Sequence, residues 1–357
     1  MKKLLSFAIL LSSLYLPANA QDSTKSEPLL ISGSVDTYFK YDFAKQPNIG
    51  TSFANEQNSV SLGMIDVALK KTTGKASFVG ELSFGPRGQA QSIVNAAGVN
   101  DETVNSFHIQ NLNATYAFTD KFSMTGGYMG TFVGYEVISP VGNYNYSTSY
   151  LFTNGPFQNA GIKGTYAFSP KASLMVGLFN DWNQYQDLNG VSHFGAQLYL
   201  SPVEGWTAYL NVLSGQSAAG KNMYGSGTIL DLTTAYQMTT KFKLGLNFAD
   251  YSIGEKAYGG YTGIALYPQV SITKGFGLGL RGEYFKSKKG EFGSAFSGVA
   301  AGESVFAVTV SGNLKAGGLT FIPEIRFDNG SASQFKKVGA IATKSASQFS
   351  LAAVYAF

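Results

Sequence analysis

The sequence predicts an all-β fold: a transmembrane, antiparallel, up-and-down β-barrel of about sixteen strands. Three observations predict it. Apolar and polar residues alternate along nearly the whole chain, which is the period of a strand with two unlike faces. The connections between these segments are alternately long and short. That sorting suits a barrel with tight turns at one mouth and extended loops at the other, and no soluble sandwich requires it. The first twenty residues read as an export signal, yet no later apolar run is long enough for a membrane helix.

Composition narrows the class further. The 357 residues contain no Cys, only 13% charged residues and 14% aromatics, with a formal net charge of +4. Without Cys there is no disulfide scaffold, thiol nucleophile or Cys-ligated metal. So few charges argue against a disordered chain, a coiled coil or a nucleic-acid binder.

The chain order begins with the export signal. Met1-Lys2-Lys3 is a basic start, Leu4 to Leu16 is mostly apolar, and Ala18-Asn19-Ala20 has the small-x-small form of a cleavage site. Cleavage after residue 20 removes Lys2 and Lys3, leaving a net charge of +2. Residues 21–28 form a polar lead-in, and 21–357 read as one domain with no linker.

Segment 29–43 sets Ile31, Val35, Phe39, Tyr41 and Phe43 on one face and Ser32, Ser34, Asp36, Lys40 and Asp42 on the other. Segments 59–70 and 106–118 slip phase near Met64/Ile65 and Ile109/Leu112, which predicts bulges. Between them lies 76–86. Segments 122–130, 157–168, 172–180, 191–201, 206–213 and 227–238 alternate in the same manner. In 242–251 the pattern is plain: Phe242, Leu244, Leu246 and Phe248 share a face. Segments 260–271 and 319–328 carry Pro268 and Pro323, each of which removes one ladder donor. Segments 276–285, 304–314 and 346–357 complete the set.

Aromatics crowd the short turns: Tyr116, Phe118 and Phe122; Tyr166 and Phe168; Trp206; Tyr236 and Phe242; Phe276; Tyr355 and Phe357. Such a belt belongs at a membrane–water interface. The outward frames are read as free of charge. The inward frames carry Asp36, Lys40, Asp42, Glu81, Lys163, Asp231, Lys243, Arg281, Glu283, Glu324, Arg326 and Asp328. Seven acids against five bases predict neither cation nor anion preference. Arg281/Glu283 and Glu324/Arg326 look like same-face pairs that could either tune a pore or brace the wall. Sixteen tilted strands enclose a barrel roughly 30 Å across, too wide for wall side chains to fill.

The longest connection, 130–156, is aromatic and Asn-rich, with Glu136 its only charge. This composition suits an ordered loop folded into the lumen. Tyr135, Glu136, Asn143, Tyr144, Asn145 and Tyr146 are the candidate constriction residues. The other reading has the loop capping the mouth or packing on the outer rim.

Enzyme chemistry finds little purchase. His108 and His193 are the only histidines, and Ser192 should point away from its strand neighbour His193. Gly277-Leu278-Gly279-Leu280-Arg281-Gly282 matches a nucleotide-binding pattern, but it lies within an alternating strand instead of opening a helix. Neither a cofactor nor a metal is expected.

Gly33-Ser34-Val35-Asp36-Thr37-Tyr38, Phe84-Gly85-Pro86-Arg87, Thr131-Phe132-Val133-Gly134-Tyr135-Glu136 and the run Asn145 to Phe157 resemble the OmpL-like β-barrel porins of Bacteroidota-type outer membranes. The resemblance covers most of the mature chain and is most specific from Gly130 to Phe157. It implies a Gram-negative outer-membrane porin, and brings neither a solute nor a catalytic residue. The expected function is passive diffusion of small hydrophilic solutes or ions, with loop 130–156 setting the cutoff. One alternative is a saccharide-type channel with Tyr38, Tyr199, Tyr209 and Tyr267 as an aromatic track. Another is a non-transport barrel whose long loops, such as 87–105 and 286–303, bind partners. Expected partners are membrane lipid and lipopolysaccharide, and the barrel-assembly machinery reading the end of the chain at Tyr355-Ala356-Phe357. Porins of this size often trimerise, so a homotrimer stays open.

Overall fold

In a computed structural model, the structure describes residues 26–87, 108–254, 258–291 and 297–357. The expected signal at 1–20 and most of the lead-in lie outside the described residues, as does nearly all of connection 87–105. Sixteen antiparallel strands close into one barrel. They are β1 Leu30–Asp42, β2 Ser59–Thr73, β3 Ala76–Phe84, β4 His108–Ala117, β5 Phe122–Gly130, β6 Gln158–Ser169, β7 Ala172–Phe179 and β8 His193–Leu200. The second half is β9 Trp206–Gly215, β10 Gly227–Gln237, β11 Phe242–Ser252, β12 Gly260–Ser271, β13 Phe276–Ser287, β14 Ser304–Ala316, β15 Leu319–Gly330 and β16 Ser345–Ala356. Every predicted segment matches one strand. The loop between β15 and β16 adds a two-residue ladder, Phe335–Lys336 against Ala342–Thr343.

Strand β1 closes the ring by pairing with β16, from Ser34 opposite Ala356 to Asp42 opposite Gln348. Backbone bonds between Gly33 and Phe357 extend the seam. The two expected bulges are present. In β2 the register shifts at Gly63–Met64, opposite Asp36, and in β4 it shifts at Gln110. The first bulge has a purpose in packing. A Cβ at Gly63 would lie 1.9 Å from an Asp36 carboxylate oxygen, and the Met64 N–H donates to that carboxylate at 2.8 Å. A third bulge, at Ala167–Ser169, carries no phase signal in the sequence.

The short turns are built by local chemistry. Thr119 Oγ1 accepts from the N–H groups of Lys121 and Phe122, and Thr239 Oγ1 accepts likewise from Lys241 and Phe242. These are hydroxyl-closed turns, which is why Thr-x-Lys recurs there.

The outer face is apolar and bare: Leu62, Ile162, Leu178, Leu210, Leu230 and Phe306 all stand exposed along it. A continuous band of this kind is a lipid face. Near the short turns it ends in aromatic clusters, with Tyr116 and Phe118 rings 5.0 Å apart and Tyr166 and Phe168 5.3 Å apart. The outward frame is not wholly uncharged, because Asp250 continues it. Asp250 sits two residues from the long-loop end of β11, where it pairs with Lys288 at 2.7 Å.

Leu266 lies mid-strand on the lipid face of β12, while Tyr236 lies in the belt near the short-turn end of β10. Leu266→Arg is expected to cost about 2–4 kcal/mol of folding free energy and Tyr236→Arg about 0–1 kcal/mol. Reversible unfolding in lipid vesicles measures both, and equal costs would contradict a depth-dependent lipid face.

Candidate functional site

The loop joining β5 to β6 leaves the rim, crosses the lumen and returns. Its first residues dock on the β8–β11 wall. Four side chains form a ladder across those strands: Gln197 donates to Asn211 at 2.9 Å, and Asn211 and Asn247 each donate to Asp231 at 2.6 Å. Asp231 then accepts the Gly134 N–H at 3.1 Å, and Gln197 donates to the Phe132 carbonyl at 3.2 Å.

Beyond Gly134 the loop turns to the opposite wall, β13–β16 and β1, where charge holds it. Arg281 meets Glu136 at 2.7 Å and donates to the carbonyls of Ser147 (2.5 Å) and Thr148 (3.2 Å). Glu324 accepts the N–H groups of Tyr146 and Ser147 at 2.8 and 3.1 Å. Glu283 accepts those of Tyr150 and Leu151 at 3.0 and 2.9 Å, and Glu136 accepts that of Ser149 at 2.8 Å. Arg326 pairs with Asp328 at 2.8 Å and donates to the Thr148 carbonyl at 2.8 Å. The phenols of Tyr146 and Tyr150 donate to Asp36 (2.5 Å) and Asp328 (2.7 Å). One short helix, α1 Tyr150–Asn154, completes the insert, capped by Ser149, whose Oγ accepts from the Phe152 N–H at 2.9 Å.

This geometry reassigns most of the inward charges. Arg281, Glu283, Glu324, Arg326, Asp36, Lys40 and Asp231 face the interior but are buried, at 4% exposure or less. They hold loops and do not line open water. The in-strand pairs Arg281/Glu283 and Glu324/Arg326 are also not the ion pairs formed. Arg281 takes Glu136, Arg326 takes Asp328, and the two glutamates take backbone amides instead. Lys40 donates to the Ile49 carbonyl at 3.0 Å, anchoring the loop after β1. Of that set Glu81, Lys163 and Lys243 remain half-buried, and the two lysines line cavities.

The loop candidates divide similarly. Tyr135 stacks on Tyr267, with centroids 4.4 Å apart and planes at 19°. Burial, reinforced by the neighbouring Glu136 carboxylate, pushes the Tyr135 phenol up to about 12, so it stays neutral. Asn143 closes a sub-loop through both its amide atoms, which bond to the Val137 backbone. Tyr144 lies over Gly277 and Gly279, where an added Cβ would fall 2.1 Å from its hydroxyl oxygen and 2.2 Å from its ring, respectively. The glycine pattern in β13 is therefore a bed for this ring. Asn145 donates to Ser311 at 2.7 Å. Tyr146 turns to the wall and packs 5.6 Å from Tyr38.

Two cavities remain beside the loop. One of about 630 Å³, toward the short turns, is lined by Tyr135, Asn143, Tyr144 and Lys243 among others. One of about 410 Å³ lies against β6 and β8–β10 and is lined by Lys163, Gln197, Tyr209 and Tyr135. Of the four tyrosines expected to form a track, Tyr38 is buried in packing, Tyr267 is nearly buried beneath Tyr135 at the larger cavity, and Tyr199 pairs 5.2 Å from Tyr209 of the smaller one. Ser192 and His193 are in contact, contrary to strand alternation, with Oγ 2.8 Å from Nδ1. Ser192 precedes β8 and so escapes its alternation. His193 Nε2 faces the Gly225 carbonyl at 2.8 Å, a buried structural contact. His108 begins β4, and its side chain lies outside the described residues. Arg87 was missed by periodicity because it lies beyond β3. It pairs with Asp36 at 3.7 Å, and its guanidinium lies over the Phe53 and Tyr146 rings.

Breaking the Arg281–Glu136 pair from one side leaves a buried charge uncompensated. Arg281→Met and Glu136→Gln are each expected to cost about 3–5 kcal/mol, and the double variant to recover most of that loss. Denaturant titration of the three variants checks it. Additive losses would show that the two side chains do not act as a pair.

Comparison with known proteins places this architecture. No curated protein matches the sequence. Among solved structures, the loop L8 deletion variant of OmpT from Vibrio cholerae is similar, with a TM-score of 0.60 and 14% identity over 92% of this chain and 99% of that one. The trimer form of OmpT aligns with a TM-score of 0.56 and 13% identity over 92% and 99%. OprB of Pseudomonas putida aligns with a TM-score of 0.61 and 10% identity over 92% and 94%. At these identities the likeness concerns the fold. Residues 28–357 match the family model described as "Putative beta-barrel porin-2, OmpL-like", so the chain belongs to this family and is an outer-membrane porin.

Proposed function

We propose that the barrel mediates passive diffusion of small hydrophilic solutes or ions, and that loop 130–156 sets the size limit. One observation carries this reading. The loop is bonded to two opposite walls, through Asp231 on one side and Glu283, Glu324 and Arg281 on the other. A loop tied at both sides of a lumen narrows it without needing to move. The two cavities beside it share Tyr135 and Ala235, so that pair stands between them on the proposed path. Residues 135 and 143–145 line the larger cavity, which supports Tyr135, Glu136, Asn143, Tyr144 and Asn145 as constriction residues. Tyr146 acts as a wall anchor.

Neither reacting groups nor a cofactor enter this reading. We propose residues 1–20 as a cleaved export signal and the end of β16 with the following Phe357 as the segment read during barrel assembly. Membrane lipid would cover the apolar band, and lipopolysaccharide would meet the long-loop rim. The trimer form of the structurally similar OmpT supports a homotrimer.

Purified protein folded in detergent and inserted in a planar bilayer is expected to give stable, ohmic steps in symmetric KCl. Replacing residues 137–145 by a short Gly-Ser linker should raise the step size while the barrel stays folded by circular dichroism. No conductance from folded, inserted barrels, or an unchanged step size after the replacement, would contradict the proposal.

A further inference from the structure

The balance of inward charge changes once the docked groups are set aside. Glu136 is paired with Arg281, Asp328 with Arg326 and Asp36 with Arg87. Glu283 and Glu324 are saturated by loop amides, and Asp231 by two asparagines and the Gly134 amide. What still faces the cavities is of one sign. The smaller cavity is lined by Lys163, with no acid in its wall. The larger is lined by Lys243, with Lys274 and Lys315 at its short-turn mouth; its one acid is the neutralised Glu136. Lys163 and Lys243 are half-buried, and neither side chain forms a hydrogen bond or ion pair with a described residue. Glu81, the remaining half-buried acid, accepts from Asn111 at 2.5 Å and lines neither cavity.

Tyr135 lines both cavities, so one unpartnered lysine stands in the cavity on each side of its ring. Between low-dielectric walls, a fixed charge that no counter-group neutralises attracts mobile ions of opposite sign. We infer that this porin is anion-preferring, with Lys163 and Lys243 setting the selectivity for small anions such as chloride, phosphate or carboxylates. The inference rests on the diffusion reading and specifies its solute class.

Reversal potentials of the full-length barrel under a KCl gradient test it. The expected sign is that of chloride permeating faster than potassium. Lys163→Gln and Lys243→Gln should each shift the potential toward zero. Together they should bring the chloride-to-potassium ratio to unity or below, with conductance retained. The control Glu81→Gln should leave the sign unchanged. A cation-preferring wild type, or an anion preference that survives the double substitution, overturns the inference while leaving the diffusion reading intact. Absence of any conductance from inserted barrels overturns both.

Discussion

A loop that enters a barrel leaves its backbone amides and carbonyls without a ladder, and everything about this lumen follows from how those groups are satisfied. Unpaired, each buried group would cost a few kcal/mol. Here three carboxylates take five consecutive-region amides, from Tyr146 to Leu151, while two guanidiniums take the Ser147 and Thr148 carbonyls. Charged groups are costly to bury, so such a network is weak evidence for stability by itself. Its effect is geometric. Planar, bidentate partners admit one loop path, and a constriction must have one path if it is to have a defined width.

The same constraint divides the barrel into two unlike halves. The β13–β16 and β1 wall is consumed in holding the insert. Its arginines Arg281 and Arg326 are fully buried, and the Arg326 guanidinium lies over the Tyr150 ring. The β6–β11 wall holds the loop through the Gln197–Asn211–Asp231–Asn247 ladder and contacts to Phe132 and Tyr135, with no ion pair to it among the described residues. Glycines follow this division. Gly277 and Gly279 yield space to Tyr144, and Gly245 yields space to the Tyr135 hydroxyl, where a Cβ would sit 2.2 Å away. The pore is shaped by side chains absent from the wall as much as by those present.

The fold was legible because its signals are local. Alternation fixes which residues face lipid, and a phase slip at Met64 can arise only from an extra residue in the strand. The path of loop 130–156 was partly legible, since a long, nearly uncharged, aromatic segment has to find polar partners somewhere. The roles of Arg281, Glu283, Glu324 and Arg326 were not. Spacing two residues apart on one strand identifies a common face, but says nothing of a loop arriving from over a hundred residues earlier. The partner of Arg281 is Glu136, and that of Glu324 is a pair of amides; neither leaves a mark in periodicity. Ser192 and His193 show the converse error, in which an alternation rule was applied one residue outside its strand.

The shape of the lumen depends most directly on the docked state of residues 146–151. Hydrogen exchange of the vesicle-inserted protein, read by mass spectrometry, measures it amide by amide. The amides of Tyr146, Ser147, Ser149, Tyr150 and Leu151 are expected to exchange as slowly as those of the neighbouring strands β13 and β15. Exchange as fast as at the exposed Val141 would show that the loop is not held by the buried charges, and would contradict the account.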